Sequence, residues 1–349
     1  MATVALPGVA ATGDILAPRV EPSRRARIIA ALAIGLASAL FTAFVFARPG
    51  AAPDFAVWYH GARLMLSGAN PYHLPLSSAA WPFDEPLYYP LPAAILTIPL
   101  AWLSLPLAGA LFMGISGGLL AWLVSRDGLW RLWLFGTASY FMACKVGQWS
   151  PLIAVGALLP AAGFLAAMKP NLGLAALAYR PSWRAMLGCA AVGLVSFAVL
   201  PSWLTDWHAN TTALVGHSPP ILTFGGPILL LALLRWRRPE ARLLLVMACV
   251  PQLLFWADQL PLFLIPRTRR EMNAFFLINS AACFVWYVRW ASNPAYVLAA
   301  EPYVFWGTYI PCLVLVLRRP NEGELPDWIE RLLRAMRSRA ARVVRVRGV

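Results

Sequence analysis

The sequence predicts an all-α integral membrane protein: a polytopic helical bundle of about ten to twelve segments, several of them broken helices. Of its 349 residues, 60% are hydrophobic and only 13% are charged, which is the composition of a membrane protein. Residues 28–47 read IIAALAIGLASALFTAFVFA without a charge. At about 1.5 Å per residue, a helix of this length crosses a hydrocarbon core of roughly 30 Å.

Apolar runs continue to the end of the chain after this first segment. They lie near 91–105, 106–125, 129–144, 149–168, 171–179, 185–203, 221–234, 242–257, 273–290 and 303–317. Several runs are too short to span alone and many contain proline, so we expect broken or re-entrant helices. The first run is longer than the apolar core of a secretory signal, which favours an uncleaved signal anchor.

The arginines predict the topology. The net charge of +14 is carried by many arginines and only two lysines, Lys145 and Lys169, and the arginines cluster between apolar runs. Loops that carry such clusters remain in the cytoplasm. We therefore expect a multi-pass protein of the plasma (inner) membrane with a cytoplasmic N-terminal segment (1–27), a transmembrane domain (28–320) and a first external loop (48–90). The orientation of residues 126–169 stays open.

Residues 321–349 form a basic tail. From Leu325 onward, LPDWIERLLRAMRSRAARVVRVR places apolar residues at helical spacing among arginines. This pattern is typical of a cationic amphipathic helix on anionic inner-leaflet lipid, so membrane lipid is the expected partner and nucleic acid is not. The histidine spacings match no ligand pattern and the cysteines form no CxxC pair, so we expect neither a metal nor a cofactor.

The external loop opens with DFAVWYHGARLML, residues 54–66. Phe55, Trp58 and Ala62 recur at three- and four-residue steps, which predicts a helix with one apolar face along the membrane surface. Asp54 stands at its N-terminus, where an acid is favoured by capping and by the helix dipole. Capping alone is therefore one explanation of Asp54.

Five fragments in chain order resemble glycosyltransferase family 87. They are Asp54-Phe55, Gly68-Ala69-Asn70-Pro71-Tyr72, Tyr89-Pro90-Leu91-Pro92, Gly147-Gln148 and Lys169-Pro170. The resemblance spans most of residues 28–320 and implies the C-type glycosyltransferase fold and transfer of a hexose from a polyprenyl-phosphate donor. Mannose is the best-known sugar of that family, and its acceptors are lipids or glycans. The resemblance matches Asp54 to the family's catalytic aspartate and adds Asn70 and Tyr72 as donor contacts.

Transfer of a sugar from a lipid phosphate requires a base for the acceptor hydroxyl, and an external carboxylate can provide it. The leaving phosphate is already a stable anion and needs no strong acid, but the acceptor hydroxyl needs a base. Asp54, near the membrane surface on the external (periplasmic) face, is the predicted base of an inverting transfer. Asp258 and Asp206 are secondary candidates.

Contacts to the donor phosphate or sugar are predicted for five further residues. Lys169 and Lys145 are embedded in apolar sequence, where a charge faces a cavity or a partner unless it snorkels to the interface. Arg63 and His60 lie on the first-loop helix and can reach phosphate, although a surface role suits Arg63 equally well. Gln148 can bind sugar or simply pack beside Gly147.

Two readings from other classes stay open. A secondary transporter also has broken helices and intramembrane lysines. A membrane lipid carrier without glycosyl transfer is the other.

Overall fold

The computed structural model describes residues 22–335 except 50, 52, 80, 213–215, 324, 326, 328, 332 and 333. Within these residues the fold is all-helical, and the only extended pairing is an isolated bridge between Ser218 and Gln252. The α-helices are α1 (Arg24–Phe46), α2 (Asp54–Leu66), α3 (Leu91–Thr97), α4 (Leu105–Val124), α5 (Ala138–Val146), α6 (Ser150–Leu158), α7 (Pro170–Tyr179), α8 (Trp183–Val199), α9 (Trp203–Thr211), α10 (Pro239–Cys249), α11 (Arg269–Trp290), α12 (Glu301–Val304) and α13 (Ile310–Leu317). Most of the predicted amphipathic tail, and residues 1–21 of the N-terminal segment, lie outside the described residues.

Short 3₁₀ helices join many of the α-helices. The longer ones are Leu129–Gly136, Pro160–Met168, Gly226–Arg235 and Leu260–Leu264, and the shorter ones are Ile98–Leu100, Ser125–Asp127, Pro220–Leu222, Trp256–Asp258 and Leu298–Ala300. A π-helical turn, Phe305–Tyr309, joins α12 to α13.

Three helical stretches are long and apolar enough to cross a membrane: Arg24–Phe46, Leu105–Asp127 and Leu298–Leu317. Two pairs of helices are each bent sharply at a short break: α5 and α6 by 118°, and α8 and α9 by 101°. If each pair counts as one span, the number of candidate spans becomes five. The chain is thus a membrane protein whose described residues hold three to five candidate spans, fewer than the predicted ten to twelve segments with broken helices. Prolines open many of the short helices and stop the preceding ones, so apolar runs that are continuous in sequence divide into short pieces.

Helix α1 buries its small residues and exposes its large ones. Leu32, Leu36, Leu40 and Phe44, spaced by four, are each more than 60% exposed, whereas Gly35, Ser38 and Thr42 are buried. A Cβ on Gly35 would lie 2.9 Å from the carbonyl oxygen of Gly114 in α4. Close backbone approach through small residues, with large apolar side chains turned outward, is how helices pack in lipid.

The α1–α4 pair is antiparallel, and this fixes the orientation of the following chain. Arg27 Nη2 at the start of α1 donates to the carbonyl of Trp122 near the end of α4 at 2.9 Å. Helix α5 instead runs parallel to α1, because Ser38 contacts Tyr140 at 2.6 Å between hydroxyl oxygens and Thr42 Oγ1 donates to the Cys144 carbonyl at 3.1 Å. Residues 126–131 therefore lie at the end of α1 where Arg27 is, and the end of α5 lies at the opposite one.

Other arginines gather with Arg27 and Arg126. Arg126 and Arg180 line one cavity, and Arg242 Nε donates to the Ala178 carbonyl at 2.8 Å, two residues before Arg180. Arg319 pairs with buried Glu240 at 3.0 Å. We call this side of the bundle the arginine end.

Candidate active site

Asp54 begins α2 at the end of the bundle opposite the arginine end. Helix α2 spans the predicted residues, and its apolar face, including Phe55 and Trp58, is fully buried. Pro53 holds an extended conformation just before the helix, and no side chain caps the α2 N-terminus. Asp54 Oδ2 instead accepts a hydrogen bond of 2.8 Å from Gln148 Nε2. The carboxylate thus points into a tertiary contact and does not cap its own helix.

Gly147 brings Gln148 to this position. It ends α5 with φ +72°, in the left-handed region that glycine adopts without strain. A Cβ at Gly147 would lie 2.6 Å from the Cβ of Phe55, so the backbone passes directly against α2. The turn therefore needs glycine for its dihedral angle and for its space.

The Gln148 side chain is buried, and its orientation is defined by its neighbours. Its Oε1 accepts from the backbone N–H of Trp149 at 3.0 Å and lies 3.4 Å from the Tyr89 hydroxyl. Because Oε1 faces these donors, the amide Nε2 must face Asp54.

Lys169 and Asp258 form a buried ion pair in the same region. Nζ lies 2.7 Å from Oδ1 and 2.9 Å from Oδ2, and the side chains are only 13% and 11% exposed. Lys169 has φ −144° and ψ 86°, at the break between the 3₁₀ helix and α7, because the following Pro170 disfavours a helical conformation. An ammonium carries three donors, so one N–H of Lys169 stays available.

Two tyrosines lie near both Asp54 and the ion pair. Lys169 Nζ lies 5.5 Å from the Tyr89 ring centroid, and Tyr89 in turn packs 4.3 Å from Trp58, centroid to centroid. The half-buried Tyr88 has its pKa raised, first by burial and then by the charges of Asp54 and nearby acids. Tyr89 is buried, so it is the half-buried Tyr88 whose ring and hydroxyl suit contact with a polar ligand that has an apolar face.

The pKa of the Asp54 carboxyl is raised above the usual value of an aspartate. Loss of hydration on burial raises its pKa to about 6, with Lys169 lowering it and Asp258 and Glu85 raising it. These mutual effects bring Asp54, Lys169 and Asp258 into one electrostatic site. A carboxylate with a pKa near 6 is a stronger base than an ordinary one and is still ionised at neutral pH.

Asn70, Tyr72 and Asp206 lie outside this group. Asn70 Nδ2 donates to Asp206 Oδ2 at 3.0 Å, and His73 Nε2 lies 3.1 Å from Asp206 Oδ1. The Tyr72 hydroxyl donates to the Tyr89 carbonyl at 3.0 Å. The Asp206 carboxylate therefore connects α9 to the predicted external loop through hydrogen bonds and is not free to act as a base. The Tyr72 hydroxyl holds the backbone carbonyl of Tyr89.

Three more predicted contacts also lie away from Asp54. Lys145 is exposed on the last turn of α5, and Arg63 is exposed with its guanidinium 3.4 Å from the Tyr59 hydroxyl. His60 is half-buried, with its ring edge-on to Tyr59 and Phe83, and burial lowers its pKa. The structure thus joins Asp54 with Gln148, Lys169 and Asp258, and leaves the other predicted contacts apart.

Comparison with known proteins gives no relative: no family model, no curated protein and no solved structure matches the chain.

By sequence, Tyr88 is one of several loop aromatics that suit either sugar stacking or an interfacial aromatic belt, and Glu85 is expected to be a solvated charge. The pattern offered one signal for Tyr88, the Tyr-Tyr-Pro step at 88–90 directly before an apolar helix. Glu85 stands beside a proline and is exposed, so only its charge reaches Asp54. The site offers one basic carboxylate, one cation with a spare donor, and tyrosines beside them.

Proposed function

We propose that this protein is a membrane glycosyltransferase of the C-type architecture that transfers a hexose from a polyprenyl-phosphate donor to a lipid or glycan acceptor. The observation that carries the proposal is the grouping of Asp54, raised in pKa to about 6, with the Lys169–Asp258 ion pair at one end of an apolar bundle. One basic carboxylate and one cation are what a single displacement at a sugar phosphate requires.

Asp54 acts as the general base. The acceptor hydroxyl gives its proton to the free carboxylate oxygen while its own oxygen attacks the anomeric carbon. The bond from that carbon to the phosphate oxygen breaks at the same time, and the phosphate leaves as a stable anion. Gln148 holds the other carboxylate oxygen, so the attacking hydroxyl meets a fixed base. Attack from the face opposite the phosphate inverts the anomeric centre.

Lys169 binds the departing phosphate. Its third N–H is not used by Asp258, and a phosphate oxygen within hydrogen-bond distance would receive it. Asp258 holds the buried ammonium in position when no donor is bound. Tyr89 lies against the same ammonium, and the half-buried Tyr88 offers its ring to the sugar.

The site works on the external face of the plasma membrane. It lies at the opposite end of the bundle from the clustered arginines, and loops rich in arginine remain in the cytoplasm. A polyprenyl chain in the bilayer would present its phosphate at this membrane surface.

Reconstituted protein tests the proposal directly. Proteoliposomes that contain a radiolabelled polyprenyl-phosphate hexose and a lipid extract as acceptor should form a labelled glycolipid, and Asp54→Asn should abolish most of this transfer. Asp84→Asn is the matched control, because Asp84 is an exposed acid of the same loop that contacts only Ser77 among the described residues. No transfer by wild-type protein with mannose, glucose or galactose donors would contradict the proposal.

A proton-coupled secondary transporter is the second candidate. The observation that favours it is the same carboxyl with a pKa near neutrality beside a buried lysine, an arrangement that can take up and release a proton. Sugar uptake into proteoliposomes that is driven by a pH gradient and lost in Asp54→Asn, without any glycolipid product, would favour transport.

A further inference from the structure

A small polar cavity of about 180 Å³ lies at the arginine end, far from the candidate active site along α4 and α6. It is enclosed by the ends of α4, α6 and α7, and its polar lining consists of Arg126, Asp127, Arg131, Tyr179 and Arg180. Three of these side chains are cationic and one is anionic. The lining therefore has a net positive charge and suits an anion.

Arg131 is the buried cation of this cavity. Its side chain is only 9% exposed, and its one ion pair is Nη2 to Asp127 Oδ2 at 3.2 Å. Within the part of the chain that the structure describes, its Nε and Nη1 have no hydrogen-bond partner. A buried N–H without an acceptor costs free energy, and a guanidinium with unused donors matches the oxygens of a phosphate.

The other charges around Arg131 do not satisfy it. Arg180 Nη1 donates to the Leu158 carbonyl at 2.9 Å, and Arg126 is exposed at the cavity wall. Arg267, from the loop before α11, adds a further positive charge that acts on Arg131. Asp127 is the acid that faces Arg131, and it is exposed on the other side.

An apolar cavity of about 470 Å³ continues from the polar one. The two share Leu123 and Arg126, and the larger cavity is lined by Leu119, Leu152, Val155 and Phe164 between α4, α6 and the 3₁₀ helix Pro160–Met168. Its volume lies within the range of roughly 300–1,000 Å³ that is usual for ligand pockets. A soluble phosphate would leave this apolar cavity empty, whereas the acyl chain of a lipid would fill it.

We propose that these two cavities bind one anionic phospholipid, with its phosphate on Arg131 and an acyl chain in the apolar cavity. Basic pockets between helices at the cytoplasmic membrane surface are where anionic headgroups bind. The phosphate of the lipid would supply the acceptor oxygens that Arg131 lacks, and its acyl chain would pack between α4 and α6. This site stands apart from the proposed glycosyl transfer, because no residue of the Asp54 group lines either cavity.

Native mass spectrometry of delipidated, full-length protein tests the proposal with two lipids that have identical chains. Phosphatidylglycerol should bind and phosphatidylcholine should bind far more weakly, since its headgroup carries no net charge. Arg131→Gln should weaken phosphatidylglycerol binding about tenfold or more, because it removes charge-assisted hydrogen bonds. Arg25→Gln, which removes an exposed arginine of α1 that lines neither cavity, should leave binding unchanged.

Further arms separate a lipid from a soluble phosphate and guard against a folding defect. Ala162→Phe narrows the apolar cavity, so it should reduce phosphatidylglycerol binding and leave the binding of glycerol phosphate unchanged. If Arg131→Gln does not fold, Arg126→Gln, at the exposed junction of the two cavities, should weaken the lipid in the same direction. Equal binding of the two lipids, unchanged binding in the arginine variants, or glycerol phosphate binding as tightly as the lipid would each overturn the proposal.

Discussion

Gln148 donates a hydrogen bond of 2.8 Å to Asp54 across 94 positions of the chain. The amide is neutral, so it fixes the carboxylate while lowering its pKa much less than an arginine in contact would. Asp54 therefore keeps its raised pKa of about 6 and a defined geometry together. This combination depends on the short connection between α5 and α6, where Gly147 turns the chain.

Gly147→Ala should separate Gln148 from Asp54. The new Cβ would meet Phe55 at 2.6 Å in a left-handed backbone conformation, so we expect a loss of stability of about 1–3 kcal/mol and reduced transfer activity. Thermal unfolding in detergent and the transfer assay measure the two effects.

Gly68→Ala is the matched control for Gly147→Ala. Gly68 also has a positive φ, +78°, but a Cβ there would meet nothing within 4 Å. Gly68→Ala should therefore lose only the stability that comes from placing alanine in a left-handed backbone conformation, and it should retain activity. Equal effects of the two substitutions would mean that the contact with Phe55 is unimportant.

The parts of the site that could be predicted are those with a local signal. Residues 54–66 showed helical periodicity after a proline, and α2 covers that range. Lys169 was notable because a lysine in apolar sequence faces a cavity or a partner unless it snorkels to the interface, and Lys169 pairs with Asp258. Gln148 was recognised beside Gly147, although its partner Asp54 could not be predicted from either segment alone.

The rest depends on tertiary contacts that leave no local pattern. Nothing in the sequence near Asn70 indicates that it bonds Asp206, a residue 136 positions later. The described residues give fewer candidate membrane spans than apolar runs for a related reason. Apolar runs count as segments in a hydropathy reading, but the bend of 118° between α5 and α6 is set by three residues, Gly147, Gln148 and Trp149.

The membrane topology can be tested with single cysteines in a cysteine-free background. Ser77→Cys, exposed on the predicted external loop, should react with a membrane-impermeant maleimide on intact cells or spheroplasts. Arg184→Cys, exposed at the start of α8, should react only after lysis. The reverse pattern would put the Asp54 site on the cytoplasmic face and contradict an external donor.

Asp54 should reduce stability at neutral pH. Its pKa is raised from 3.8 to about 6 in the folded protein, so the folded state holds a proton more tightly than the unfolded state. The free energy of unfolding should therefore fall as the pH rises from about 4 to 6 and stay level above it. Asp54→Asn should be more stable than wild type at pH 8, by on the order of 1–3 kcal/mol, and equal to it near pH 4. A variant less stable than wild type at pH 8 would mean that the ionised carboxylate stabilises the fold, which contradicts the raised pKa.

The Lys169–Asp258 pair should show strong coupling. Lys169→Ala leaves a buried carboxylate and Asp258→Ala leaves a buried ammonium, so each should destabilise the protein by roughly 3–5 kcal/mol. The double variant should lose much less than the sum, because no unpaired charge remains. A thermal-unfolding double-mutant cycle with strictly additive losses would mean that the pair contributes nothing as a pair.

Donor affinity separates a binding role of Lys169 from its structural role. Lys169→Ala should weaken binding of the polyprenyl-phosphate donor, and Lys169→Arg should retain part of it because the charge stays while its geometry changes. Equilibrium binding of a fluorescent donor, measured on protein whose folding is verified, gives both values. Unchanged affinity in Lys169→Ala would leave the lysine as the partner of Asp258 only.

Asp54→Asn should abolish most of the sugar transfer while leaving the fold intact. The amide keeps the size of the carboxyl group but has almost no basicity, so turnover should fall by about 10²-fold or more, the usual contribution of a positioned base. In the wild type, kcat/KM should rise with pH through about 6 and then level off, as the carboxyl of free enzyme ionises. Gln148→Leu should move that midpoint to higher pH, because the hydrogen bond that favours the ionised form is lost. Asn is as good a helix N-cap as Asp, so if Asp54 served only the helix, a well-folded Asp54→Asn protein would transfer sugar at nearly the normal rate. That result would exclude Asp54 as the base.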